Sequence, residues 1–297
     1  MEPEESCSGA PLHYWTWWLP AFALLWLAAV FSLAAEPVAL IKQNCPIVLV
    51  GFGAAVLGNL SAIGGGIVFI PVMIFLYHTA PVAALKVALS TQSFGMTSGA
   101  IAWIQTRVVP LKALRLTIPG LLIGSTISSL VIKPSTLLVK AFFGPVSIFL
   151  GILTIVLALH ARGRVCVQDV PDRACLPLIL VSVFGGLITG WVAIGEGEVI
   201  AALLMLAYGL EPRSCIGLGV VLLAINSIYL TLIHQFALGG IPWDLAAFTI
   251  LGCVFGARFA PYVAQWVSPF RMKLSFALIA IADGVLFVIQ FLLRSKA

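Results

Sequence analysis

Ser61-Ala62-Ile63-Gly64-Gly65-Gly66-Ile67-Val68 interrupts a run from Gln43 to Leu85 that carries no charge. The run is too long for one crossing of a bilayer whose apolar core is about 30 Å thick. The glycines divide it into two pieces, about Pro46–Asn59 and Ile67–Tyr77. Each piece is too short to cross alone, so the pair is expected to form one discontinuous span or a re-entrant hairpin.

The stretch returns later in the chain. Ala62-Ile63-Gly64-Gly65-Gly66-Ile67-Val68 aligns with Ala193-Ile194-Gly195-Glu196-Gly197-Glu198-Val199 at an offset of 131, which also pairs Tyr77 with Tyr208 and Pro81 with Pro212. At an offset of 132, Pro110 meets Pro242, Thr117 meets Thr249, Gly120 meets Gly252 and Gly124 meets Gly256. A match held in register over this length is an internal duplication. Glycine-interrupted segments at corresponding places in two halves point to a transporter with its site between them.

Composition agrees. Of 297 residues, 61% are hydrophobic and 9% charged, against roughly 25% charged in a soluble domain. Mean hydropathy is +1.13. This excludes a soluble enzyme, a disordered chain and a nucleic-acid binder, even at a net charge of +5. The expected fold is an all-α polytopic membrane protein of about eight or nine helices. The run Tyr14–Ala35 has an acidic flank and reads as a retained first helix rather than a signal peptide. Further helices are expected at about Pro81–Gln105, Ala113–Ile132, Leu137–His160, Leu176–Tyr208 (broken at Gly195-Glu196-Gly197-Glu198), Ser214–Ala237, Trp243–Ala260 and Arg271–Leu293. The chain then divides into an N-terminal helix and linker (1–45), a first transmembrane repeat (46–160), a polar linker (161–175) and a second repeat (176–297). Parallel repeats follow if each broken segment crosses, and inverted repeats if each is re-entrant. The basic residues are asymmetric under either arrangement, and inversion is preferred because antiparallel halves give alternating access its symmetry.

Candidate site residues cluster at the breaks. A half-helix starting near Ile67 would aim its uncovered N–H groups and positive dipole end at Gly64, Gly65 and Gly66, with Asn59 and Ser61 as side-chain donors. At mid-membrane such a terminus is an anion site, although the same glycines could serve close helix packing. Gly195 and Gly197 are the counterparts, separated by Glu196 and Glu198. A charged carboxylate at that depth costs roughly 2.5–3.5 kcal/mol on insertion scales and would repel an anion. The two glutamates are therefore candidates for proton coupling, with capping of a half-helix as the plainer alternative. Lys86, Ser90, Ser93 and Thr97 fall at i, i+4, i+7 and i+11, on one helical face, and make a candidate pathway. Lys86 could instead snorkel to the interface. Asn226, Ser227, Thr231 and His234 form a looser stripe. Cys166 and Cys175 share the polar loop and could pair. No phosphate loop, metal-ligand cluster or nucleophile triad is present, so no enzyme activity, cofactor or metal is expected.

These features resemble the sulfite exporter TauE/SafE family. The likeness rests on the duplication, on Gly58-x-x-Ser61-x-x-Gly64-Gly65-Gly66-x-x-x-x-Pro71, and on the helix Lys86-Val87-Ala88-Leu89-Ser90-Thr91-Gln92-Ser93-Phe94-Gly95-Met96-Thr97-Ser98-Gly99-Ala100. It covers about Pro46 to the C-terminus. The resemblance implies a permease that exports sulfite, sulfonates or related small anions. Glu196 and Glu198 depart from the glycine-rich pattern. Two other classes stay open, a non-transporting scaffold or assembly factor and a cation carrier using Glu196 and Glu198. The partners implied are a small anionic solute and the lipid bilayer of the plasma membrane, with no nucleic acid, and a homo-oligomer is left open.

Overall fold

The computed structural model describes residues 18–61, 64–105, 107–160, 170–266 and 269–294. Among them are eleven α-helices and no strand. They are α1 (Trp18–Leu33), α2 (Pro37–Ser61), α3 (Gly66–Phe75), α4 (Pro81–Gln105), α5 (Leu111–Thr126), α6 (Thr136–His160), α7 (Cys175–Val192), α8 (Glu196–Ala202), α9 (Pro212–Phe236), α10 (Trp243–Trp266) and α11 (Pro269–Arg294). Counting α2 with α3 and α7 with α8 as broken pairs leaves nine units. Six of the described helices are long and apolar enough to cross a membrane, and the chain is a multi-pass membrane protein. Two units divide it, residues 1–43 and residues 44–297. The first holds α1, whose Leu24, Leu25 and Leu33 are exposed as lipid-facing side chains are. Everything below concerns the second unit.

Two expectations need correction. The segment Glu36–Lys42 is expected as a linker, yet α2 begins at Pro37 and runs unbroken through Pro46 to Ser61. Proline suits the first helical position because its fixed φ is helical and the missing N–H has no partner there. At 25 residues and 1.5 Å per residue, α2 is about 37 Å long, longer than the piece expected. Only α3, at 10 residues, is as short as expected. In the second half the break lies at Ala193–Gly195, not at Gly195–Glu198. Glu196, Gly197 and Glu198 form the first turn of α8, where acidic residues are favoured.

Helix contacts settle how the halves are related. Ser227 of α9 bonds Gln92 of α4, and Trp103 further along α4 covers Gly217 earlier in α9. These two helices, equivalent through Pro81 and Pro212, are therefore antiparallel. So are α6 and α11, where Gly151 lies against Ala277 and Ile281 while Gly284 lies against Gly144 and Ile148. At an offset of 133, which also joins the starts of α6 and α11, Gly151 matches Gly284 and Gly144 matches Ala277. The contact is reciprocal, as in an isologous interface. The first helix of each half docks on the other half. Gly120 and Gly124 of α5 sit on Ile179 and Val183 of α7, and Gly252 and Gly256 of α10 sit on Val48 and Phe52 of α2. A two-fold that makes equivalent spans antiparallel lies across the helices, in the membrane plane, and the repeats are inverted.

The same contacts show that α3 turns back. α2 and α4 both run parallel to α10, α2 through Val48 and Phe52, and α4 through Thr91–Thr249 and Gly95–Cys253. Gly64, just before α3, lies beside Gln92 near the middle of α4, and α3 ends beside the start of α4. Hence α3 is antiparallel to both α4 and α2, and the α2–α3 pair is a hairpin with its turn at mid-depth.

Candidate functional site

Each hairpin turns on a glycine that a side chain would strain. Gly64 has φ +97° and Gly195 φ +103°, in the left-handed region that glycine occupies without penalty. Gly65 stands at the N-cap of α3 with no capping side chain. The N–H groups of Val68 and Phe69 return to its carbonyl at 3.0 Å. Across the two-fold, the Val199 N–H returns to the Gly195 carbonyl at 3.0 Å.

The two turns meet. Gly66 backs directly onto the Ala193 carbonyl and Ile194. Gln92 bridges the halves, with Nε2 donating to the Ala193 carbonyl at 2.8 Å and Oε1 accepting from the Ser227 hydroxyl at 3.2 Å. Gly64, Gly65, Gly66, Ala193, Ile194, Gly195 and Gly197 are all buried.

The second half adds a buried polar cluster to the junction. Glu196 is 0% exposed, and its Oε2 accepts from Asn226 Nδ2 of α9. Asn226 Oδ1 accepts in turn from the Ser125 hydroxyl of α5 at 2.7 Å. Glu196 Oε1 makes no hydrogen bond. The Thr189 hydroxyl faces the carboxyl but donates to the Ile194 carbonyl at 3.3 Å. At the two-fold-related positions stand Gly65 and Gly95 of the first half, for Glu196 and Asn226, and Ala257 of the second, for Ser125. Glu198 is 3% exposed and lies within electrostatic reach of Lys273 on α11, itself 9% exposed.

The remaining candidates divide. Asn59 is half-buried and donates to the Ala55 carbonyl of its own helix at 2.9 Å, while its Oδ1 lies beside Gly99 without a partner. Ser61 ends α2, and its side chain is outside the description, as are Ala62, Ile63 and Cys166. Ser90, Ser93 and Thr97 turn back to carbonyls of α4, at Val87, Ser90 and Ser93, over 3.0, 2.7 and 2.5 Å. Their hydroxyl donors are thus satisfied within the helix. Lys86 is not brought to the junction. It lies six residues from Gln92, about 9 Å along the helix, and donates to the Leu238 and Gly240 carbonyls after α9 at 2.5 and 2.8 Å. It borders a small cleft with Val82, Ala83 and Gly239–Pro242. His234 is buried nearby, with neither ring nitrogen bonded. Cys175 is half-buried and Cys253 is buried, both as free thiols, and Cys215 is buried in the core.

Sequence reasoning passed over Ser125 and Thr189 and gave Gln92 only a supporting place. The usable signal was an exchange of small for polar residues between equivalent positions, Gly65 for Glu196, Gly95 for Asn226 and Ala257 for Ser125.

The profile of the family described as Sulfite exporter TauE/SafE matches residues 47–287. The "Probable membrane transporter protein YunE" of Bacillus subtilis (strain 168) is 24% identical over 239 residues, covering 71% of this chain and 85% of that protein. No solved structure matches the chain.

Proposed function

Since the chain belongs to the sulfite exporter TauE/SafE family, we propose that this membrane transporter exports a small sulfur-containing or organic anion, of the sulfite or sulfonate class, by alternating access between its two halves. The observation that carries the reading is the meeting of two oppositely directed hairpin turns, Gly64–Gly66 and Ala193–Gly195, midway along the spans. Inverted repeats supply two equivalent ways for one half to pack against the other, and a site between them faces each side in turn. The ten-residue helix α3 opens at that point with no capping side chain, so its first N–H groups are oriented toward an anion.

The hairpin topology also supports a sidedness for the carrier. The ends of α4, α5, α7, α9 and α11 that bear Arg107, Lys112, Arg115, Arg173, Arg213, Arg271 and Lys273 lie together, and the positive-inside rule puts them in the cytoplasm. Lys86, His234 and the Leu238–Pro242 segment then belong to the opposite face. An inside-negative potential assists anion expulsion by roughly 2.3 kcal/mol per charge per 100 mV.

The test is flux in proteoliposomes holding the purified chain, loaded with sulfite or with methanesulfonate under an imposed potential. Flux of either anion that disappears in Gly65→Leu is the expected result. A correctly folded protein that moves neither anion would remove this substrate class.

A further inference from the structure

Glu196 is the unexplained group at the junction. It is fully buried, it opens α8 three residues beyond the Ala193 carbonyl against which Gly66 packs, and one of its oxygens is bonded while the other is not. The Ser125 hydroxyl donates to Asn226 Oδ1 while Asn226 Nδ2 donates to Glu196 Oε2, and Oε1 is left without a hydrogen bond.

Among the described residues, no charged or titratable side chain offsets the carboxyl. α7 presents Thr189 and Gly185 to it, α9 presents Asn226, and α6 presents Leu150 to the adjoining Gly195 turn. On its own helix the nearest titratable group is Glu198, whose electrostatic partner is Lys273 of α11. The two acids thus differ. Glu198 has a compensating cation, whereas Glu196 has only neutral neighbours, the Asn226 amide and the Thr189 hydroxyl, and its Oε1 makes no hydrogen bond.

Resting on the transport reading above, we propose that Glu196 is the single proton site of the carrier, and that its Oε1–H donates a hydrogen bond to the substrate anion, so that one proton binds with each anion. A buried ionised carboxylate with only neutral partners is costly. An anion beside it raises that cost, while a proton on Oε1 removes it and supplies a donor. Anion and proton therefore bind each other's favoured state, and the linkage is reciprocal. The site is single because its two-fold mate is Gly65, with Gly95 and Ala257 in place of Asn226 and Ser125. A dianion moving with one proton carries one net negative charge and is still expelled by the membrane potential. A monoanion moving with one proton is electroneutral.

The experiment uses the detergent-purified full chain and methanesulfonate, an anion that stays ionised throughout. Adding it in weakly buffered solution should draw protons from solution in the wild type and in Glu198→Gln, and none in Glu196→Gln. Its apparent affinity should rise toward acid pH by up to about tenfold per unit, the limit for one linked proton, and become flat in Glu196→Gln. Proton uptake that survives Glu196→Gln overturns the proposal. A second readout needs no substrate. A hydrophobic carbodiimide modifies only protonated buried carboxyls, and peptide mapping should find Glu196 labelled increasingly as pH falls. Labelling confined to Glu198, or flat with pH, also overturns it. Should methanesulfonate have no effect while the labelling of Glu196 still follows pH, the anion class fails and the proton site stands.

Discussion

Gln92 Nε2 donates to the Ala193 carbonyl over 2.8 Å, so the middle of α4 holds the turn of the other half's broken helix. The same side chain accepts from Ser227, and both bonds are buried. Gln92→Leu keeps the approximate volume and leaves the carbonyl and the hydroxyl without their partner. The expected cost is about 1–3 kcal/mol of stability, read as a lower Tm in detergent, with anion flux reduced more than the residual folded fraction explains. Unchanged flux would show that the bridge is structural only.

Gly66 and Gly65 should respond differently to the smallest substitution. A Cβ at Gly66 would stand 2.5 Å from the Ala193 carbonyl oxygen, which is backbone and cannot move aside. A Cβ at Gly65 meets the ring of Phe69, which can rotate. Gly66→Ala is expected to cost about 1–3 kcal/mol and to abolish flux, and Gly65→Ala to cost less. Gly53→Ala, with nothing within 4 Å, is the control. Equal effects at positions 65 and 66 would contradict the packing of the two turns.

Much of this arrangement is legible in the sequence, for identifiable reasons. The 131–132 spacing exposes the duplication, and the glycines mark the turns because φ near +100° excludes other residues. The length of α2 is hidden because Glu36, Pro37 and Lys42 look like a linker, while proline at a first helical position starts a helix. The glutamates are displaced from turn to helix because Ala193 takes a left-handed φ of +56° that its identity does not announce. The partners of Glu196 are hidden for a different reason. Asn226 and Ser125 come from separate helices, and only the three-dimensional packing of α5, α8 and α9 brings them together. The acceptors of Lys86 are backbone carbonyls, which no side-chain pattern reveals.

Gly151 and Gly284 offer a test of the two-fold itself. A Cβ at Gly151 would lie 2.8 Å from the Ala277 carbonyl, and one at Gly284 2.7 Å from the Gly144 carbonyl. Equivalent contacts predict equivalent penalties. Gly151→Ala and Gly284→Ala should each lower stability by about 1–3 kcal/mol, within error of each other in thermal unfolding. A large penalty at one position and none at the other would show that the contact is not reciprocal.

On the basic face, Lys112 forms an ion pair with Asp172 and donates to the Val170 carbonyl at 3.1 Å. The hydrogen bond and charge of Lys112 hold the Asp172 carboxyl below its ordinary value of 3.8. A lowered folded-state value means that the stabilisation is present above that ordinary value and is lost as pH falls through the folded one. The pair is solvent-exposed, so its effect is small and salt-sensitive. Asp172→Asn should leave Tm at neutral pH nearly unchanged and remove a minor part of the acid-side loss. A large neutral-pH drop would mean that the contact does more than an exposed pair can.

Lys86 offers a direct contest between a pathway and a clamp. Its ammonium donates to the Leu238 and Gly240 carbonyls, which follow the last turn of α9, where cations are favoured. A clamp predicts that Lys86→Met loses two charge-assisted bonds and about 1.5–3 kcal/mol of stability. The apparent KM for anion should stay near wild type in the protein that remains folded. Lys86→Arg, still cationic but larger, should recover stability only partly, because the planar guanidinium does not reproduce a compact ammonium between two carbonyls. A pathway lysine predicts the reverse, with stability little changed, KM raised in Lys86→Met and restored in Lys86→Arg. Measuring Tm and KM together on the two variants separates these outcomes, and the geometry favours the first.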